Sequence, residues 1–235
     1  MKTNLIATLL LVATLSGCVF SKKSEVTIDE EFRINNPTKL RIAGVIDLRL
    51  IQGDNPSLYI EGDEDAVEAV KINENGGTLS ITYDAESNIF SSVSTPKITL
   101  TISDLEELTF DGVGNFEMER EFVVDEVKIR GSGIGNIQLA LEAEVIEARF
   151  DILGRVSMNG SAERMALTND GLGQIDAADL IVQNLNLASN GIGKVDIHCE
   201  NELSLNVNGI GSVSYSGDPT IIDRQINGIG KVTAN

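Results

Sequence analysis

The sequence predicts an all-β protein folded as a β-solenoid with coils of about 19 residues. Two observations lead to this fold class. A short glycine-containing phrase recurs at nearly constant spacing through the C-terminal half of the chain. Apolar residues also occur at fixed, alternating distances from each copy, which is the period of a β-strand with one face turned to a core.

The repeated phrase consists of a small polar residue, a glycine, an apolar residue and a second glycine. Successive copies lie 18 to 21 residues apart. A degraded copy has Ile152 where the first glycine is expected, so we expect a distorted corner there. We interpret these glycines as structural turns of the coils: Gly112, Gly114, Gly133, Gly135, Gly171, Gly173, Gly191, Gly193, Gly209, Gly211, Gly228 and Gly230, with Gly154 as the remaining second glycine.

The residues around each copy predict two inward-facing strands per coil. Positions two and four after each second glycine are always apolar: Phe116 and Met118, Ile137 and Leu139, Val156 and Met158, Ile175 and Ala177, Val195 and Ile197, Val213 and Tyr215, Val232 and Ala234. Positions eight and six before it are apolar in five coils: Val127 and Ile129, Ile146 and Ala148, Met165 and Leu167, Leu185 and Leu187, Leu203 and Leu205. Two further pairs keep one apolar member each, Leu108 of the first coil and Ile222 of the last.

Glycine suits a corner that every coil turns at the same place. It adopts positive φ and carries no side chain that would strike the neighbouring backbone. Stacked Asn190, Asn208 and Asn227 are expected to form a ladder of side-chain hydrogen bonds. A dinucleotide-binding loop is disfavoured because no helical period follows any copy.

The recurring Asn-Gly-Ile-Gly and Gly-Ile-Gly-Asn phrases resemble the "head GIN domain" family, which carries the description "putative auto-transporter adhesin" and is common in Gram-negative envelopes. The resemblance covers residues 37–233 and includes an opening strand pair in 40–54, a strand and turn at 59–63, and strands at 79–83 and 97–102. The stretch 213–219 fits the last turn before the final coil. The resemblance implies a right-handed parallel β-helix, and it implies no particular activity.

The N-terminus predicts a bacterial lipoprotein. Lys2 precedes an apolar run, and Leu15-Ser16-Gly17-Cys18 resembles a lipobox in which Cys18 is lipidated. The predicted organisation is a signal peptide at 1–17, a lipidated tether at 18–30, an N-terminal β region at 31–110 and the repeat solenoid at 111–235. Val19 stands where an Asp retention signal would lie, which favours the outer membrane.

The front of the chain is less regular. Residues 63–70 predict either one or two helical turns or a charged loop, 73–77 a turn, and 87–96 a serine-rich loop.

No catalytic residue, metal site or cofactor is predicted. His198 is the only histidine, and it follows an inward Ile197, so we expect it to face solvent. Asp176 and Asp196 share a repeat position and form at most a weak carboxylate pair. A calcium β-roll is disfavoured because its Asp position is apolar in this sequence. Cys199 is expected to be a buried core residue.

We therefore expect a non-enzymatic envelope lipoprotein that acts as a binding or adhesion module. The alternatives are an envelope-stress or signalling partner of a membrane protein, and a β-helix enzyme acting on polysaccharide. The expected partners are the membrane, through Cys18, and an unidentified protein or glycan. The net charge of −18 disfavours nucleic acid. A homo-oligomer through the C-terminal coil is also expected, because Val232 faces inward with no coil above it.

Overall fold

A computed structural model describes residues 27–84 and 95–235 of the chain. The fold is nearly all β, and it is a β-solenoid of about six turns. The strands are β1 (Thr27–Phe32), β2 (Lys39–Val45), β3 (Asp47–Gln52), β4 (Ser57–Asp63), β5 (Lys71–Asn75), β6 (Thr78–Tyr83), β7 (Lys97–Ile102), β8 (Glu107–Met118), β9 (Phe122–Asn169), β10 (Leu172–Ser189), β11 (Ile192–Val207), β12 (Ile210–Ser216), β13 (Thr220–Ile226) and β14 (Ile229–Ala234), with one short helix, α1 (Glu64–Ala69).

From β8 onward, each coil lies parallel to the next and in register at the corners. Gly173 pairs with Gly154 on one side and with Gly193 on the other. Gly211 pairs with Gly193 and Gly230 in the same way. The predicted period and parallel stacking are therefore confirmed, whereas the hand of the coil stays a prediction.

The parallel stack also extends into the N-terminal region. Strands β2 and β3 form a complete coil in which Gly44 pairs with Gly112 and Leu48 with Phe116. This coil lies between β8 on one side and the pair β6–β7 on the other. The chain therefore inserts its first coil between two coils that come later in the sequence.

Antiparallel strands cover the N-terminal end of the stack. Strand β4 runs antiparallel to β7, β1 to β4, and β5 to β6. The expected helical turn is α1, with Ala66 and Val67 buried. The expected turn at 73–77 is narrower, because only Gly76 and Gly77 lie outside strands and both have positive φ, as a two-residue hairpin requires. Strand β1 begins at Thr27, inside the segment predicted as tether.

The inward positions predicted in the repeats form one continuous core. All of the residues at those positions from Leu108 to Val213 are buried. The last coil differs, because Tyr215 and Val232 are only partly buried and Ala234 is exposed. The prediction that Ile222 faces inward is wrong. A register shift after Leu203 brings Ile221 into that place and leaves Ile222 59% exposed.

The degraded corner keeps its register. Leu153 pairs with Leu172 and Gly154 with Gly173, while Ile152 is buried. Any distortion at Ile152 therefore does not reach the second half of the corner.

The signal peptide, Cys18, Val19 and most of the predicted serine-rich loop lie outside the described residues. Within the described ranges, the single helix is far too short to cross a bilayer.

Candidate interaction surfaces

The corner of each coil approaches its neighbour at backbone distance. Gly193 has φ 141°. A Cβ built on it would overlap the carbonyl oxygen of Gly173 in the preceding coil. Two constraints therefore select glycine here, a positive φ and the absence of space for a side chain.

The residue between the two glycines projects outward at every corner. Strand alternation turns it away from the core, and neighbouring corners hold these residues in register, as Leu172 does with Leu153 and Ile192. All seven are apolar, and their exposed fractions run from 43% to 75%. We call this row the corner ladder: Val113, Ile134, Leu153, Leu172, Ile192, Ile210 and Ile229.

The corner ladder was not singled out from the sequence, although its signal was present there. The glycines explain the turn by themselves, and the apolar residue between them recurs with them in every copy. The neighbouring outward row supplies the contrast, since it contains no apolar residue: Asn115, Asn136, Arg155, Gln174, Lys194, Ser212 and Lys231.

Polar side chains beside the corner ladder form two hydrogen-bonded ladders. In the first, Asn227 Nδ2 donates to Asn208 Oδ1 at 3.1 Å, and Asn208 Nδ2 donates to Asn190 Oδ1 at 3.1 Å. Asn190 Nδ2 donates in turn to Asp170 Oδ1 at 2.9 Å, and Arg149 lies 2.8 Å from the other oxygen of Asp170. The predicted asparagine ladder is confirmed, and it ends on an ion-paired carboxylate.

The second ladder runs along the other border, at the N-terminal coils. Asn136 Nδ2 donates to Asn115 Oδ1 at 3.0 Å, and Asn115 Nδ2 donates to Asp47 Oδ1 at 2.9 Å. Each ladder thus ends on an aspartate at its N-terminal end. There the carboxylate accepts a hydrogen bond from the side-chain amide of the first asparagine in the row.

A groove of about 550 Å³ crosses one flat face of the C-terminal coils. Its floor contains Ala166, Asn186 and Ser204, which pair successively across three coils. Arg164 and Glu202 stand at its edge. The Asn186 amide and the Ser204 hydroxyl make no hydrogen bond to another described residue, so both are available to a ligand.

The two aspartates of the shared repeat position are neighbours, as Asp176 pairs with Asp196. Each has its own cation. Arg155 lies 3.8 Å from Asp176, and Lys194 lies 2.7 Å from Asp196, whose side chain is only 11% exposed. The two carboxylates are therefore neighbours that are each paired with a separate cation.

His198 is less exposed than predicted, since only 22% of its side chain is accessible to solvent. Its Nε2 lies 2.6 Å from Glu200 Oε1, and its Nδ1 lies 3.0 Å from Ser216 Oγ. A hydrolytic triad also joins a serine, an imidazole and a carboxylate, but there Nε2 faces the serine and Nδ1 faces the carboxylate, which is the reverse of this arrangement. Ser216 Oγ is also within 3.4 Å of the Ile197 carbonyl oxygen. None of the grooves described on this surface is lined by these three residues.

Cys199 is fully buried, as predicted. Its Sγ lies 3.2 Å from the Glu202 carbonyl oxygen, and burial raises the pKa of the thiol. Among the described residues, no three His, Cys, Asp or Glu side chains converge as a metal site would require.

The final coil presents an incompletely covered edge. Strand β14 pairs with β12, and no other described strand pairs with it. Ile229 is 75% exposed and Ile226 40% exposed. The oligomer contact predicted at this edge stays a prediction.

Residues 36–219 match the model of a protein family described as "Putative auto-transporter adhesin, head GIN domain". The fold is similar to a solved "putative adhesin" from Bacteroides fragilis, with 25% identity, a TM-score of 0.82, and coverage of 90% of this chain and 98% of that one. A "putative lipid binding protein" from Parabacteroides distasonis is similar at 21% identity and TM-score 0.70, covering 89% of this chain and 96% of the other. Among curated proteins, none matches the chain.

Proposed function

The chain belongs to the head GIN domain family, and from this premise we propose that it acts as a non-enzymatic binding and adhesion module of the bacterial cell envelope. Family members and structural neighbours are described as adhesins or as a lipid-binding protein, and none of the matched descriptions is that of an enzyme. Stacked coils supply long flat faces, which suit extended partners.

The observation that carries this proposal is the groove over Ala166, Asn186 and Ser204. Its floor is flat, uncharged and supplied with amide and hydroxyl groups that can donate to and accept from sugar hydroxyls. A second groove, of about 440 Å³, lies on another face and is bordered by Asp125, Glu142, Glu144 and Glu163. Four carboxylates would repel an acidic polysaccharide. The first groove is lined by two acids, Glu147 and Glu202, and one base, Arg164, and its floor is uncharged, so it is the better candidate for an extended glycan.

The test is binding of purified protein to beads coated with neutral or acidic polysaccharides. Replacing both Asn186 and Ser204 by Leu keeps strand propensity but removes the free polar groups of the floor. We expect this variant to lose binding by at least tenfold. The matched control replaces Gln138 and Ser157 by Leu in the same way. Both residues project from another outward row, so this variant should bind like wild type. Equal binding by both variants would exclude this groove as the site.

We also propose that Cys18 carries a lipid that anchors the protein, with the outer membrane as its location. The support is the apolar leader followed by Leu15-Ser16-Gly17-Cys18. A Cys18→Ser variant should neither take up a fatty-acid probe in growing cells nor partition into detergent. Probe incorporation by this variant would show that the anchor is elsewhere. Protease accessibility on intact cells then reports whether the protein faces outward.

A further inference from the structure

The corner ladder is a continuous apolar row that lies between two polar rows. Outward positions on both sides of it carry Asn, Asp, Ser, Gln, Lys or Arg. Packing between successive rungs accounts for part of each side chain, yet about half of each remains exposed. A contiguous apolar strip of several hundred Å² on a soluble protein commonly marks an interaction site.

We propose that the corner ladder is a self-association surface, on which a second copy of this chain packs ladder against ladder about a two-fold axis parallel to the solenoid axis.

Rung spacing identifies the partner. Neighbouring coils lie about 4.8 Å apart, so seven rungs extend over about 29 Å. A bound β-strand repeats its side chains on one face about every 6.6 Å, and a helix about every 5.4 Å, so either loses phase with the ladder within a few rungs. A second copy has the same distance between neighbouring coils, so each of its rungs can contact one rung of the ladder along the whole length. A lipid chain on this convex corner would be covered on one side only.

Charge selects the direction of the second copy. One border of the ladder carries the acids Asp111, Asp151 and Asp170, and the other carries the bases Arg155, Lys194 and Lys231. An axis parallel to the solenoid places the acidic border of one copy against the basic border of the other, coil by coil, and opposes Asp151 to Arg155. Turning one copy end over end would instead oppose Asp170 to Asp170 and Arg155 to Lys194. Each of these groups already has an ion-pair partner in its own chain, so this direction gains no new pair.

The borders also remove an electrostatic obstacle. The whole chain has a net charge of −18, which would drive two copies apart if it were spread evenly. The rows beside the ladder contain three bases and, with Asp47, four acids, so their net charge is only −1.

The first test measures mass. Full-length protein carrying Cys18→Ser should give a dimer by light scattering at micromolar concentration. Replacing Ile192 and Ile210 by Glu should raise the dimer dissociation constant at least a hundredfold. The matched control is Val123→Glu, an equally exposed apolar position on another face, 57% exposed, which should stay dimeric.

The second test measures direction by disulfide trapping in the same background. In the parallel arrangement each rung faces the same residue of the second chain. Ile134→Cys should therefore form a disulfide-linked dimer by itself, and so should Ile210→Cys. In the end-over-end arrangement, these two variants would cross-link only when mixed. Val123→Cys controls for random collision.

Several outcomes would overturn the proposal. The first is a wild-type protein that is monomeric by light scattering. If that monomer binds phosphatidylcholine vesicles and the variant with Glu at positions 192 and 210 does not, the ladder contacts lipid and not a second copy. A dimer that survives that double substitution but is lost when a bulky tag follows Asn235 is another, since it would place the contact at the final coil. Cross-linking only in the mixture would refute the parallel direction.

Discussion

Substituting the corner glycine of an internal coil separates two physical reasons for its presence. In Gly193→Ala, one methyl group meets both constraints, because φ is 141° and the Gly173 carbonyl occupies the place of the Cβ. Gly76 provides the comparison. Its φ is 57°, but nothing lies within 4 Å of the added Cβ. The difference between the two substitutions therefore combines the close approach of coils with the more strained backbone at φ 141°.

The magnitudes follow from these contacts. Gly76→Ala carries only the left-handed backbone penalty, about 1–2 kcal/mol. Gly193→Ala adds the separation of two coils, and each backbone hydrogen bond stretched out of range costs about 1 kcal/mol. With strain of ~1–3 kcal/mol at the corner itself, we expect a loss of about 3–5 kcal/mol. The assay is reversible urea unfolding followed by circular dichroism.

Two further variants keep the reasoning testable if Gly193→Ala fails to fold. Gly230→Ala creates the same overlap, with the carbonyl of Gly211, but the last coil has no described coil above it and can shift outward. We expect it to cost less than about 1.5 kcal/mol. Ser212→Ala, on the polar outward row, should be nearly neutral. Lys194 is unsuitable as a neutral control because it neutralises Asp196, which is almost buried. Equal losses for Gly76→Ala and Gly193→Ala would refute the close-approach argument.

Three shorter predictions concern other residues. Asn208→Ala removes two ladder hydrogen bonds and should lower the free energy of unfolding by about 1–2 kcal/mol, whereas no loss in urea would show that water replaces the ladder. Burial raises the pKa of Cys199, so the folded chain holds that proton more tightly than the unfolded chain. Stability should therefore fall as pH rises above 9.0, the ordinary pKa of a thiol, by more in wild type than in Cys199→Ala, and parallel pH profiles would contradict this. Ser216 should not react with a fluorophosphonate, since it lines none of the grooves described among residues 27–84 and 95–235; covalent labelling abolished by His198→Ala would contradict the non-enzymatic assignment.

The repeats could be predicted from sequence because each coil contains the same local information. Glycine at the corner and apolar residues at fixed offsets place Ile175 and Val195 in the core without knowledge of any distant residue. The prediction failed at Ile222, where the flanking Thr220 and Asp223 gave no sign of a bulge. A shift by one residue reverses which side chain faces the core, and it depends on pairing with the preceding coil.

The candidate surfaces were less predictable because they depend on what lies beside a residue in space. The connection between Ser216, His198 and Glu200 joins consecutive coils, and no local motif announces it. The groove over Ala166, Asn186 and Ser204 likewise forms only when these three residues are brought together from three coils. By contrast, the corner ladder was readable from the repeat once outward positions were compared with one another.

The order of strands at the N-terminal end predicts where folding begins. Coils of the repeat pair residues 18 to 21 apart, whereas the inserted coil joins Lys39 to Glu107 across a much longer loop. Closing that loop first costs about 1 kcal/mol more in chain entropy than closing one repeat. We therefore expect the coils between β9 and β11 to form the folding nucleus. Leu185→Ala should slow folding in stopped-flow experiments, whereas Ile42→Val should mainly speed unfolding. If Ile42→Val changes the activation free energy of folding as much as the free energy of unfolding, the nucleus lies at the inserted coil instead.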